Sequence, residues 1–189
     1  MKRFARSMFT TVLLLGASAP AVLAAKPIQI ALVDPVQIFS RDEAIHGLRL
    51  NLIYGSNREV KGVDLGLINR VTGDFTGIQW GVIGMVDGEF VGWQDNWINL
   101  NEGRGQGLMT AIYNQSNSFS GLQYGVVNYT ERMEGLQLGL VNYTARMEGL
   151  QLGLVNVTHS MHGLQIGLVN VIQDKEKFPV LPIVNWTFD

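Results

Sequence analysis

The chain has 189 residues, 47% of them hydrophobic and 16% charged, with a formal net charge of −2 and no cysteine. That length suits one domain with a sizeable core, and the missing cysteine excludes disulfides, thiol chemistry and a lipid attached through a lipobox Cys. A slightly acidic chain without clustered Lys and Arg excludes nucleic acid as an expected partner.

Residues 1–24, MKRFARSMFTTVLLLGASAPAVLA, read as a signal peptide. Lys2, Arg3 and Arg6 form a basic start, an apolar run follows through Val12–Leu15, and Val22 and Ala24 suit the −3 and −1 positions of a cleavage site before Ala25. The run is too short for a spanning helix of about 20 residues. Gly and polar residues interrupt every later apolar run, so no helical transmembrane span is expected. Cleavage removes three basic residues and no acidic one, which makes the exported chain more acidic still. Residues 25–46, with the stretch IQIALVDPVQIF, are the candidate N-terminal cap. Pro35 suits an edge because proline donates nothing to a strand ladder.

Residues 47–170 form a nine-copy repeat. Its marker glycine falls at 47, 62, 77, 92, 107, 121, 135, 149 and 163, first at 15-residue and then at 14-residue intervals. After each glycine, apolar residues recur at alternate positions, as in Leu136, Leu138 and Leu140. Gln137 and Gly139 stand between them. This two-residue period predicts a β-strand with one face buried, and the hydrophobic rule assigns the Leu face inward and the Gln/Gly face outward. Two residues before nearly every glycine sits a further apolar residue, from Ile45 and Val60 through Phe75 and Phe90 to Phe119, Met133, Met147 and Met161, with Gly105 the exception. The step of three from there to the next Leu predicts a bend at the glycine. Asn69, Asn99, Asn114, Asn128, Asn142, Asn156 and Asn170 end the strands, and Asn suits a turn because it tolerates the left-handed conformation.

The fourth copy, GWQDNWIN, departs furthest. It places Asp95 in a Leu slot and Asn96 in a Gly slot, between Trp93 and Trp97. An unpaired buried carboxylate is costly, so a local bulge that turns Asp95 outward is the plainer expectation. Trp93, Asp95, Asn96 and Trp97 are the candidate ligand-binding residues, an aromatic and carboxylate set of the kind that holds a sugar or peptide. The fifth copy departs too, with Met109 for Gln and Thr110 for Leu. NEGRGQG at 101–107 lacks the following helix of a phosphate loop and reads as a glycine-rich corner. His159 and His162 lie in slots held elsewhere by Glu131, Ala145, Glu134 and Glu148, with no third ligand nearby, so no metal is expected. The Asn-x-Ser/Thr sequons at Asn114, Asn128, Asn142, Asn156 and Asn185 read as turn chemistry. Residues 171–189 are the candidate C-terminal cap strand, in which Val180, Pro182, Val184, Trp186 and Phe188 alternate.

Two architectures can carry such a repeat. In a β-solenoid each copy is one coil and equivalent residues stack about 4.8 Å apart. In an antiparallel outer-membrane barrel or meander each copy is one strand; the alternation ending in Phe188 suits that arrangement. A membrane barrel would alternate short turns with longer loops and so repeat every two strands. The last copies repeat every 14 residues without alternation, which favours the solenoid.

The GLQ-x-G-L-x-N octets, the opening IQIALVDPVQIF and the ending PIVNWTF resemble a family of exported bacterial surface-repeat proteins built from the same octets. The resemblance implies export, an envelope setting and no assigned activity, and it supplies no functional residues. No catalytic motif and no cofactor-binding motif is present. The expectation is a non-enzymatic cell-envelope protein, in the periplasm or at the outer membrane or cell surface, acting as a structural or interaction scaffold for an envelope partner. A small structural or pore-forming outer-membrane barrel is the alternative.

Overall fold

The computed structural model describes residues 24–188. The segment read as a signal peptide therefore lies, but for Ala24, outside the described residues.

Nine strands follow one another in a single sheet order: β1 (Lys26–Val33), β2 (Val36–Gln37), β3 (Ala44–Asn57), β4 (Glu59–Val71), β5 (Phe75–Val86), β6 (Phe90–Asp95), β7 (Ile98–Leu152), β8 (Val155–Ile172) and β9 (Val180–Thr187). From β3 to β8 the pairings are parallel and in repeat register. Gly47 pairs Gly62, Gly62 pairs Gly77, Gly77 pairs Gly92, and Gly92 pairs Gly107. At the far end Gly149 pairs Gly163, and Gln151 pairs Gln165. The fold is a β-solenoid of about nine turns. Parallel pairing of every copy with the next overturns the antiparallel barrel, because each coil returns to its starting side before the next begins. β1 adds a parallel rung at one end, with Ile28 beside Leu48. β9 adds an antiparallel one at the other, with Trp186 beside Leu164.

Each marker glycine has φ between 124° and 150°, the bend that the repeat predicted. A Cβ on Gly149 would stand 2.0 Å from the Gly135 carbonyl oxygen below it, so no side chain is accommodated in this column. The residues two before the glycines are buried as expected: Ile45, Val60, Phe75, Phe90, Phe119, Met133, Met147 and Met161 make one continuous apolar column. At the exception, Gly105, the Phe119 ring fills the space, 2.5 Å from where a Cβ would lie, and stacks on Phe90 at 6.3 Å.

The remaining assignment of faces is inverted. Gln79, Gln94, Gln123, Gln137, Gln151 and Gln165 are fully buried, and so are Asn69, Asn99, Asn114, Asn128, Asn142, Asn156 and Asn170. The apolar positions between them point to the outside: Ile78, Trp80, Tyr124, Leu140 and Leu154 are all exposed. A 14-residue coil encloses a space too thin for leucines meeting from both walls. Stacked amides instead fill it and satisfy one another along the axis. Successive Gln amides lie 2.8 Å apart from Gln123 to Gln165, and successive Asn amides 2.8–2.9 Å apart from Asn99 to Asn170. Thr130 and Thr144 donate to Gln123 and Gln137 at 2.7 Å and add a hydroxyl row to the Gln column.

The asparagines also turn the chain differently from the expectation. Among the described non-glycine residues, positive φ occurs only at Phe178 and Ile183. Each Asn instead donates from inside the corner to a carbonyl of the next coil, as Asn142 does to Leu152 O at 2.9 Å. The carbonyl also takes a backbone N–H, as Ile166 O does from Gly153 at 3.0 Å, and the amide fills its second acceptor site.

Candidate functional site

The inversion decides what the outside of the molecule is. One sheet of the solenoid presents three columns of outward side chains. The first runs Leu48, Val63, Ile78, Trp93, Leu108, Leu122, Leu136, Leu150, Leu164; the second lies two residues on, and the third, at the corner, two further. In register across ten rungs from β1 to β8, the only charged residue in these columns is Asp95. Trp80 and Trp97 are each 63% exposed, and Leu140 is 51% exposed. Rungs about 4.8 Å apart and outward positions about 6.7 Å apart give a face of roughly 45 by 15–20 Å, on the order of 800 Å². The largest apolar patch on an ordinary monomer is about 300–600 Å².

The fourth copy lies in the middle of this face. Trp80 and Asp95, and Asp95 and Thr110, are direct neighbours across the sheet, with no bulge. Asp95 points outward because its whole column does, not because the strand is distorted. Thr110 Oγ1 donates to Asp95 Oδ1 at 2.6 Å, and Trp93 Nε1 donates to Thr110 Oγ1 at 3.2 Å. The polar break in the face is thus internally bonded. Trp93, Asp95 and Trp97 share this surface, but Asn96 does not. It is buried inside the coil and donates to Asn99 Oδ1 at 2.7 Å.

Asn96 has a structural task. Gly84 occupies the Asn slot of the preceding coil and leaves its amide column with a gap, and the Asn96 amide lies 2.4 Å from where a Gly84 Cβ would be. Coil one uses the same exchange. Asn51 stands in a Gly slot, its amide crosses the space above Gly55, and it donates to Asn69 Oδ1 at 2.8 Å. In copies three and four the signal was in the sequence, a Gly in the Asn slot matched by an Asn in the next Gly slot. In coil one a register shift after Asn51 hides it, because the repeat spacing puts Tyr54 in the slot that Gly55 fills.

The sequence reading also passed over Arg49 and Asp64, which occupy the Gln slots of the first two coils. Both side chains are fully buried, and the guanidinium grips the carboxylate with two bonds of 2.7 Å. Asn51 and Gln79 donate to the same carboxylate at 3.1 and 2.8 Å, and Arg49 Nη1 donates to Arg70 O at 2.9 Å. Every strong bond of this pair is made within the protein, so it replaces two amides of the ladder and presents nothing to a ligand.

Other charges gather at the glycine edge, opposite the Leu140 corner. Glu59 holds Lys61 at 2.7 Å and His46 at 3.0 Å; these contacts, Lys61 foremost, keep its carboxyl below the ordinary range. Arg104, Arg132, Arg146, Glu134 and Glu148 line a shallow trough of mixed charge along the same edge. His159 and His162 are exposed and make separate contacts, with Gln173 Oε1 and the Phe188 ring. Among the described residues no three His, Asp or Glu side chains converge on one point. No helix among them is long and apolar enough to cross a membrane.

Comparison with protein-family models, curated proteins and solved structures finds no match.

Proposed function

We propose that the protein is a non-enzymatic, exported cell-envelope scaffold that works by docking through its apolar face. The observation that carries this reading is the pairing of a rigid amide-filled interior with outward columns of Leu, Ile and Trp. An apolar side chain turned outward at every rung adds little to the fold of a single chain, and a surface of this size is the mark of an interaction site. The basic, apolar and small-residue pattern of residues 1–24 supports export. The docking face is not the Gln/Gly surface expected from the sequence, because those residues fill the interior. Trp93 and Trp97 then belong to the middle of the docking face as aromatic anchors, a common role for Trp at interfaces.

Cell fractionation with a C-terminal tag tests this. The tagged protein is expected in the periplasmic or envelope fraction, shortened by about the mass of residues 1–24. Recovery of the uncleaved chain in the cytoplasm would sink the reading. A charged substitution on the face, Leu150→Glu, is expected to release the protein from any envelope complex without changing its circular dichroism.

A further inference from the structure

We infer that the occupant of the apolar face is a second copy of this chain, packed face to face so that two solenoid sheets form a sandwich. The inference rests on the docking reading above and adds the identity of the partner.

The first argument is area. A face on the order of 800 Å² per copy, buried twice, equals the roughly 1,600 Å² of a stable protein–protein interface, and homodimer interfaces are the more apolar class. The second is self-complementarity. The rungs of one copy have the same spacing as those of another, so leucines of one sheet meet the furrows of the other along the whole length. Two sheets paired in this way lie about 10 Å apart, the ordinary distance for stacked sheets. A two-fold axis through the middle of the face pairs like columns with like, as closed dimers require. Trp80, Trp93, Trp97 and Tyr124 then fall in the central rungs, where interface energy concentrates.

The third argument is charge. Asp95 is the single charge of the face; Thr110 donates to its Oδ1 at 2.6 Å and offsets part of its desolvation, and the aromatic side chains around it must offset the rest. A lipid surface asks for the opposite. Binding to an anionic bilayer relies on Lys and Arg beside the apolar surface. Here the column next to the glycine corner carries Glu134 and Glu148 as well as Lys61, and the chain is net negative. Arg104, Arg132 and Arg146 stand beside those glutamates, so the edge is of mixed charge and forms no basic strip of the kind such a bilayer needs.

The full chain, purified without detergent, is tested by sedimentation velocity over the micromolar range, beside two single variants in exposed central positions. Ile112→Glu and Tyr124→Glu alter no interior contact, so each keeps the far-ultraviolet β signal; if one misfolds, the other decides. Wild type is expected at twice the monomer mass, and each variant at the monomer mass, with dissociation favoured at least about 100-fold by two carboxylates forced into an apolar interface. Ala145→Glu, on the opposite sheet, is expected to remain dimeric. A wild-type monomer at every concentration overturns the inference, as does a dimer that persists in both face variants or is lost in Ala145→Glu. A monomer that floats with phosphatidylcholine vesicles, and loses them on Ile112→Glu, assigns the face to lipid instead. Mislocalisation to the cytoplasm with an intact dimer would refute the envelope reading alone.

Discussion

Removing the Asn142 amide tests the inverted interior most directly. Asn142→Ala deletes the donor to Asn156 Oδ1 at 2.8 Å and to Leu152 O at 2.9 Å, and the acceptor of Asn128 Nδ2 at 2.8 Å. Asn128 keeps its bond to Leu138 O. The Asn156 side-chain oxygen loses its partner in a space with no room for bulk water, and Leu152 O keeps only a backbone bond like the one that the equivalent Ile166 O accepts from Gly153 N. One buried orphan acceptor at about 1–3 kcal/mol and two further amide bonds lost at about 0.5–1.5 kcal/mol each predict a loss of roughly 2–6 kcal/mol. The matched control is Leu138→Ala, four residues earlier, which removes an outward, half-buried side chain. Full burial of a leucine would cost about 2–5 kcal/mol on truncation, and a half-exposed one on the order of 1 kcal/mol. Urea unfolding followed by far-ultraviolet circular dichroism measures both, at concentrations where the midpoint no longer depends on protein concentration, so that association does not enter. If Leu138→Ala costs more than Asn142→Ala, the leucines are the core and the reasoning is wrong.

The interior gives two further tests and the charged edge a third. Arg49→Gln alone strands the buried Asp64 carboxylate and is expected to cost about 3–5 kcal/mol, whereas Arg49→Gln with Asp64→Gln completes the amide column and recovers most of it in the same urea assay. Gly84→Asn and Asn96→Gly are each expected to destabilise, the first by collision with the Gln79 and Asn96 amides, of which the flexible Gln79 end can shift, and the second by opening a gap. Together they restore the regular column, so a double-mutant cycle should show a favourable coupling of at least about 1 kcal/mol. Glu59 has its carboxyl held low by Lys61 and His46, so its contribution is fully present above its ordinary value of 4.5 and is lost as pH falls through the lower folded value. The Tm difference between wild type and Glu59→Gln should therefore close on the acid side of that titration.

The period, the bends and the Phe/Met column were legible because each has a single physical cause. A glycine at a fixed interval marks a backbone angle, and a two-residue alternation marks a strand. Which face of the strand is buried does not follow from alternation, and the usual rule sent the leucines inward. Two signals pointed the other way. Met147 and Leu150 are three residues apart, an odd step that puts them on opposite sides of an alternating strand. Met147 is inside with Gly149 and Gln151, and Leu150 is outside. The copies also differ in tolerance. The Leu138 column admits Trp80, Asp95, Thr110 and Tyr124, as a surface does, whereas Asn99 to Asn170 is unbroken, as stacked interior groups must be. Asp95 was thus singled out by a rule that did not apply, while Arg49 and Asp64, true occupants of the interior, were passed over because the Gln column had been placed outside.

The amide columns have a direction. From Asn99 to Asn170 every Nδ2 donates to the asparagine of the following coil, while from Gln165 to Gln123 every Nε2 donates to the glutamine of the preceding one. The two rows of side-chain dipoles therefore run in opposite senses along the axis, and their fields largely cancel. In the first coils the sense is set by chemistry that cannot be reversed. Gln94 donates to Gln79, and Gln79 donates to Asp64, a carboxylate that can only accept. Turning over one amide within a row would oppose donor to donor and acceptor to acceptor on its two sides, so each row holds or reverses as a unit. The solenoid is thereby stiffened from within by elements that belong to no single coil, and a fault in one repeat is felt by its neighbours in both directions.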